Sequence, residues 1–134
     1  MENRQINEQY KVIAENLIKT EPALQHLAKS EVRIIYLESD LQRKIKTGVV
    51  HGVCERIASK NKWAIHADFT ITLYKLNNAG FSEDQLKTLL FHELLHVGIE
   101  INDEGKESYY CVPHDLEDFK LIINKFGTDW SEVK

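Results

Sequence analysis

Positions 82–98 constrain this chain more than any other stretch, because they dictate a helix and place metal-binding side chains on one of its faces. Ser82-Glu83-Asp84-Gln85 is a capping box, with Ser82 as N-cap and Gln85 at N3, each side chain satisfying a main-chain N–H that the helix start leaves open. Leu86, Leu89, Leu90, Leu94 and Val97 then recur at helical spacing. Asn77-Asn78-Ala79-Gly80 supplies the preceding turn, and Gly98 marks or approaches the helix end. Inside this run stands His92-Glu93-Leu94-Leu95-His96. Residues four apart share a helix face, so the two imidazoles can converge on one ion. Glu93, one position on, can leave its carboxylate beside the open coordination site, where a base for bound water must stand. The competing account is a buried amphipathic helix whose histidines only fill space and hydrogen-bond. The capped, apolar context that the motif requires favours the metal.

A catalytic zinc takes three protein ligands and keeps a fourth position open. His114 is the best third ligand downstream, since it stands where Leu116, Phe119, Ile122, Ile123 and Phe126 begin a helical pattern that ends at Gly127. Glu100, Asp103, Glu104, Glu107 and Asp115 compete with it, although carboxylates in so acidic a loop are more often solvated. Asp115 can instead cap the helix or orient a ligand imidazole. Asn102-Asp103-Glu104-Gly105 reads as a turn, and Lys106–Val112 as a strand on which Tyr109 or Tyr110 could offer a phenol to a developing oxyanion.

Upstream, Ile6, Tyr10, Ile13 and Leu17 place a helix over residues 5–19. Glu21-Pro22 interrupts it before a short second helix through Leu27. Val32–Leu37 is rich in β-branched and aromatic residues and reads as a strand. Residues 49–58 suit helix or strand, with Gly48 and Gly52 tipping the expectation to a strand near the cleft. In 68–76, Phe69, Ile71 and Leu73 alternate with Thr70, Thr72 and Tyr74, the period of a strand. The expected fold class is α+β: helices packed on a short three- to four-stranded sheet, the active-site helix being followed by a strand and a C-terminal helix.

The 134 residues, 43% of them hydrophobic, suit one domain over 1–134. No run approaches a membrane span, and Met1-Glu2-Asn3-Arg4-Gln5 lacks a signal peptide's apolar region, so a cytoplasmic protein without membrane partners is expected. The net charge of −4 argues against nucleic acid as a partner, since phosphate binding takes clustered cations. The densest basic groups, Arg43-Lys44-Lys46 and Lys60-Lys62 beside Trp63, read as solvated loops, with Trp63 and Trp130 as packing anchors. Cys54 and Cys111 are too few for a disulfide framework and read as strand thiols. His26, His51 and His66 are assigned no metal.

Taken together, Leu90-Phe91-His92-Glu93-Leu94-Leu95-His96, His114-Asp115-Leu116-Glu117-Asp118-Phe119 and Phe126-Gly127-Thr128-Asp129-Trp130, with the Asp68-Phe69-Thr70-Ile71 strand before them, resemble the phage metallopeptidase family over roughly residues 10 to 130. The resemblance implies a small zincin-like domain in which His92, His96 and His114 hold Zn2+ and Glu93 is the general base. The family label fixes a reaction class and leaves the substrate open; motif and context together point to an endopeptidase acting on a protein or peptide. A more distant similarity is to SprT-like and Spartan-type proteases, whose third histidine stands in a Gly-His-Gly context where this chain has Pro113 and Asp115. Two further function classes stay open: a catalytically silent zinc-binding interaction module, and a nucleic-acid-associated protease of the SprT-like kind.

Overall fold

The computed structural model describes residues 2–46 and 48–112. Its elements follow the order β1 (Arg4–Ile6), α1 (Glu8–Thr20), α2 (Gln25–Ala28), β2 (Ile34–Ser39), β3 (Lys44–Ile45), β4 (Gly48–Val49), β5 (Gly52–Arg56), β6 (Phe69–Tyr74), α3 (Glu83–Leu94), β7 (Val97–Ile101) and β8 (Glu107–Cys111). This is the α+β class. The main sheet has the order β1-β2-β6-β5, with β2 and β6 parallel and the two outer strands antiparallel to their neighbours; β3-β4 and β7-β8 are separate two-stranded ribbons. Among the described residues no helix is long and apolar enough to cross a membrane.

The first helix starts later than its apolar spacing alone suggests. Residues 4–6 pair instead with β2, and the Asn7 side chain accepts the Tyr10 N–H at 3.0 Å as an N-cap, which leaves Ile6 in the strand and 64% exposed. Tyr10, Ala14 and Leu17 bury the remaining face of α1 against α3 and β2. Pro22 opens a single 3₁₀ turn that leads into α2, a place where its missing N–H costs nothing.

Two layers result. Phe69, Ile71 and Leu73 on β6 meet Leu89, Leu90, Phe91 and Leu94 on α3, with the α1 residues, Leu24, Leu27 and Tyr36 completing the core. On the opposite face of β6, Thr72 and Tyr74 are just as buried but are met by polar groups. The Arg4 guanidinium reaches Thr72 Oγ1 at 3.3 Å and Glu55 at 3.1 Å, and Arg43 donates to the Tyr74 hydroxyl at 3.0 Å. The alternation legible along this strand is therefore the difference between its apolar and its hydrogen-bonded side.

Asp68, buried just before β6, ties three segments together. One oxygen accepts the Arg33 N–H at 2.9 Å, the other lies 3.0 Å from the Lys62 ammonium, and Lys62 in turn lies over the Tyr109 ring of β8. Lys62 thereby takes the inward position in its loop, and Trp63, expected to pack, stands 81% exposed. Burial alone would raise the Asp68 carboxyl. The Arg33 N–H, the Lys62 ammonium and the Arg33 guanidinium outweigh that and hold it below the ordinary carboxylate range.

Two outcomes follow. Leu90→Ala empties a fully buried site and should cost about 2–5 kcal/mol in urea denaturation, against about 1 kcal/mol for the exposed cap change Ser82→Ala. A carboxyl depressed in the folded state stabilises the fold above its unfolded pKa and loses that contribution as pH falls through the folded value. Stability should therefore drop most steeply below about pH 4, and Asp68→Asn should flatten that drop while lowering stability near neutrality.

Candidate metal centre

Helix α3 begins with the capping box, both bonds formed: Gln85 N–H to Ser82 Oγ at 3.2 Å and Ser82 N–H to Gln85 Oε1 at 2.9 Å. It ends at Leu94, earlier than Gly98. The last turn tightens, with the Leu95 N–H bonded to the Phe91 carbonyl and the His96 N–H to that of Glu93, both at 3.1 Å. His96 therefore stands just past the helix yet still over His92. Their rings lie 5.2 Å apart at 71°, and one ligand atom from each of His92, Glu93 and His96 falls within 4.8 Å of the others. His92 and Glu93 are buried, 8% and 4% exposed, while His96 is half-buried. Glu93 Oε1 lies 3.7 Å from His92 Nε2, so the carboxylate stands at the imidazole edge.

Directly after His96 the chain becomes β7, a strand the sequence pattern did not suggest. β7 pairs in antiparallel register with β8, from Val97↔Cys111 to Ile101↔Glu107. The expected turn joins them, with Asn102 Oδ1 accepting the Glu104 and Lys106 N–H groups and Gly105 at φ +79°, a conformation that favours glycine. The pairing continues one step past the ribbon, where the Val112 N–H donates to the His96 carbonyl at 2.7 Å. The Val112 carbonyl lies 2.6 Å from His96 Nδ1. Because a carbonyl can only accept, Nδ1 carries the proton, and in the neutral imidazole Nε2 is then the nitrogen that can ligate a cation. Two imidazoles and a carboxylate on the scale of one coordination sphere, one imidazole already held in a ligating tautomer, make a donor set that suits zinc.

Among the described residues only His92, Glu93 and His96 gather in this way. Glu100, Asp103 and Glu104 lie exposed on the ribbon, and Glu107 accepts from Ser30 Oγ at 2.8 Å and Tyr109 OH at 2.9 Å. His114, Asp115, the expected C-terminal helix and Trp130 lie outside the described residues. Of the two tyrosines, Tyr109 faces the core, edge-on to Phe69. Tyr110 lies on the other side of the ribbon, its ring across Gly98, where an added Cβ would come within 2.5 Å of Cε2. His51 is bonded to Asn78 Oδ1 at 2.8 Å and His26 to the Val97 carbonyl at 3.2 Å, while His66 is exposed.

Two contributors to the site carry no metal-binding signal in the sequence. One is the Val112 main chain. The other is Gly52 on edge strand β5: a Cβ there would meet Leu73 Cδ2 at 2.8 Å, the Thr72 carbonyl at 3.3 Å and Glu93 Cγ at 3.4 Å. Its glycine, noticed only as a helix-weakening residue, lets β5 lie directly against the Glu93 side chain.

Residues 3–134 match the family described as Putative phage metallopeptidase, and the chain belongs to that family. No curated protein and no solved structure matches it.

Gly52→Ala should lower stability by about 1–3 kcal/mol, because the new methyl has backbone on one side and Glu93 on another. Urea denaturation measures the loss. The change should also reduce whatever activity depends on Glu93 by more than the fraction unfolded explains.

Proposed function

We propose that this member of the family is a zinc-dependent endopeptidase, with His92, His96 and His114 as the metal ligands and Glu93 as the general base. The observation that carries the proposal is the convergence of ligand atoms from His92, Glu93 and His96 within 4.8 Å of one another, with the Val112 carbonyl holding His96 through Nδ1. His114 lies two residues beyond Val112, and two residues span at most ~7 Å of extended chain. Zinc bound there supplies Lewis acidity, bringing a bound water's pKa toward ~7 and polarising a scissile carbonyl.

The chain's own residues do the rest. Glu93, buried beside the His92 edge, takes the water proton on a carboxylate oxygen and passes it to the leaving amine. The Val112 carbonyl keeps the His96 ring from rotating as charge shifts. The outer edge of β5, which pairs with no strand among the described residues, is suited to the substrate. His51 and Ile57 bond to β6 through Tyr74 and Asp68, so by antiparallel alternation the main-chain groups of Gly52, Cys54 and Arg56 point away from the sheet. An extended peptide can add there as a strand, running past Glu93. A catalytically silent zinc module would have no use for a buried carboxylate at that position. The substrate expected from these features is a protein or peptide.

Elemental analysis of the purified protein tests the ligands. One equivalent of zinc is expected in the wild type and in Glu93→Gln, and little in His92→Ala, His96→Ala or His114→Ala. In the wild type a peptide library should be cleaved, and Glu93→Gln should slow cleavage by about 10²–10⁴-fold. Wild type that refuses added zinc would overturn the proposal, and undiminished zinc in His114→Ala would move the third ligand elsewhere.

A further inference from the structure

The chain has only two cysteines, and the fold brings them together from positions 57 residues apart. Cys54 lies half-buried on β5, Cys111 exposed at the end of β8, and the two strands run side by side. The Cys111 thiol lies 3.8 Å from the Cys54 carbonyl, to which it donates. Both stand next to the metal centre. Cys54 is two residues from Gly52 on the strand that covers Glu93, and Cys111 immediately precedes Val112, whose carbonyl holds His96.

We infer that Cys54 and Cys111 are a modification site, a thiol pair that a peroxide converts to a disulfide locking β8 against the outer edge of β5. The exposed Cys111 is the entry point. Its sulfur displaces hydroxide from the peroxide O–O bond, giving a sulfenic acid and water. The Cys54 sulfur then attacks that sulfur: the S–S bond forms, the S–O bond breaks, and the departing hydroxide leaves as water with the Cys54 proton. In sum two thiols and one peroxide give one disulfide and two waters. Burial pushes the Cys54 thiol up, so alone it is a poor nucleophile, and it reacts with the electrophilic sulfur that oxidation creates at Cys111, whose thiol sits on the Cys54 main chain.

The latch has a consequence for the site that rests on the proposed function. The Cys54 main chain is part of the outward-facing edge on which a peptide would add as a strand, and a bond to β8 closes that edge. The metal ligands are not consumed. Oxidation should therefore weaken peptide docking while leaving zinc in place.

The test treats the full-length, zinc-loaded protein with hydrogen peroxide and reads intact mass, free thiols and the peptide map. A loss of two hydrogens, disappearance of both thiols together, a fragment joining Cys54 to Cys111 and full reversal by dithiothreitol are expected. Cys111→Ser should leave Cys54 reduced, and Cys54→Ser should let Cys111 proceed to sulfinic acid. The site is overturned if wild-type Cys111 reaches sulfinic acid or cross-links two molecules while Cys54 stays alkylatable. These readouts stand even if no peptide is ever cleaved. Where cleavage is measurable, the oxidised form should show KM raised at least tenfold with zinc content unchanged, and an unaltered KM in a fully disulfide-bonded sample would overturn the latch.

Discussion

The bond from His96 Nδ1 to the Val112 carbonyl is the contact on which the arrangement of this site turns. Helix α3 ends at Leu94, so His96 lacks the regular helical backbone that holds His92. Left to itself, the residue after a helix end has freedom in both its main chain and its ring. The β7-β8 ribbon removes both freedoms at once: the Val112 N–H fixes the His96 carbonyl and the Val112 carbonyl fixes the ring. Such outer contacts set the tautomer and direction of a ligating imidazole as firmly as the ligand's own rotamer does.

The ribbon can do this only because it is itself anchored. Tyr109 packs edge-on to Phe69 and lies under Lys62, Glu107 bonds to Ser30 after α2, and His26 reaches the outer edge of β7. Through Lys62 the first of these links runs back to Asp68 at the head of the central strand, which also holds the Arg33 main chain ahead of β2. The apolar core beneath α3 positions His92 and Glu93 directly, whereas His96 depends on this mostly polar chain of contacts. From the other side, β5 approaches closely enough to wall the Glu93 side chain because position 52 has no Cβ. A buried carboxylate, two imidazoles and the outer strand of the sheet are thus assembled from three elements, each held by a different kind of interaction.

Much of α3 was legible because every signal in it is local. The capping box spans four residues, the apolar stripe repeats at 3.6, and the histidines' spacing of four is defined within one helix. The same holds for β6, whose alternation needs only its own six residues, and for the Asn102-Asp103-Glu104-Gly105 turn. Errors came where partners outside the segment decide. Ile6 fits the helical stripe of α1 but is drawn with Gln5 into pairing with β2. Val97 and Gly98 extend the helical pattern on paper, yet pairing with Cys111 and Tyr110 turns them into strand. Trp63 looked like an anchor by composition, but Lys62 beside it takes the inward place because Asp68 is there to receive its charge.

The sequence by itself determined the α+β class, the main helices and strands, and the residue types and spacing of His92, Glu93 and His96. Those properties depend on side-chain identity over a few consecutive positions. Only the tertiary structure decided where α3 stops, that a ribbon returns to orient His96, that Gly52 lies over Glu93, and that Cys54 meets Cys111. Each of these joins positions far apart in the chain. Moreover, the group that holds His96 is a main-chain carbonyl, which every residue possesses and which no side-chain pattern can single out.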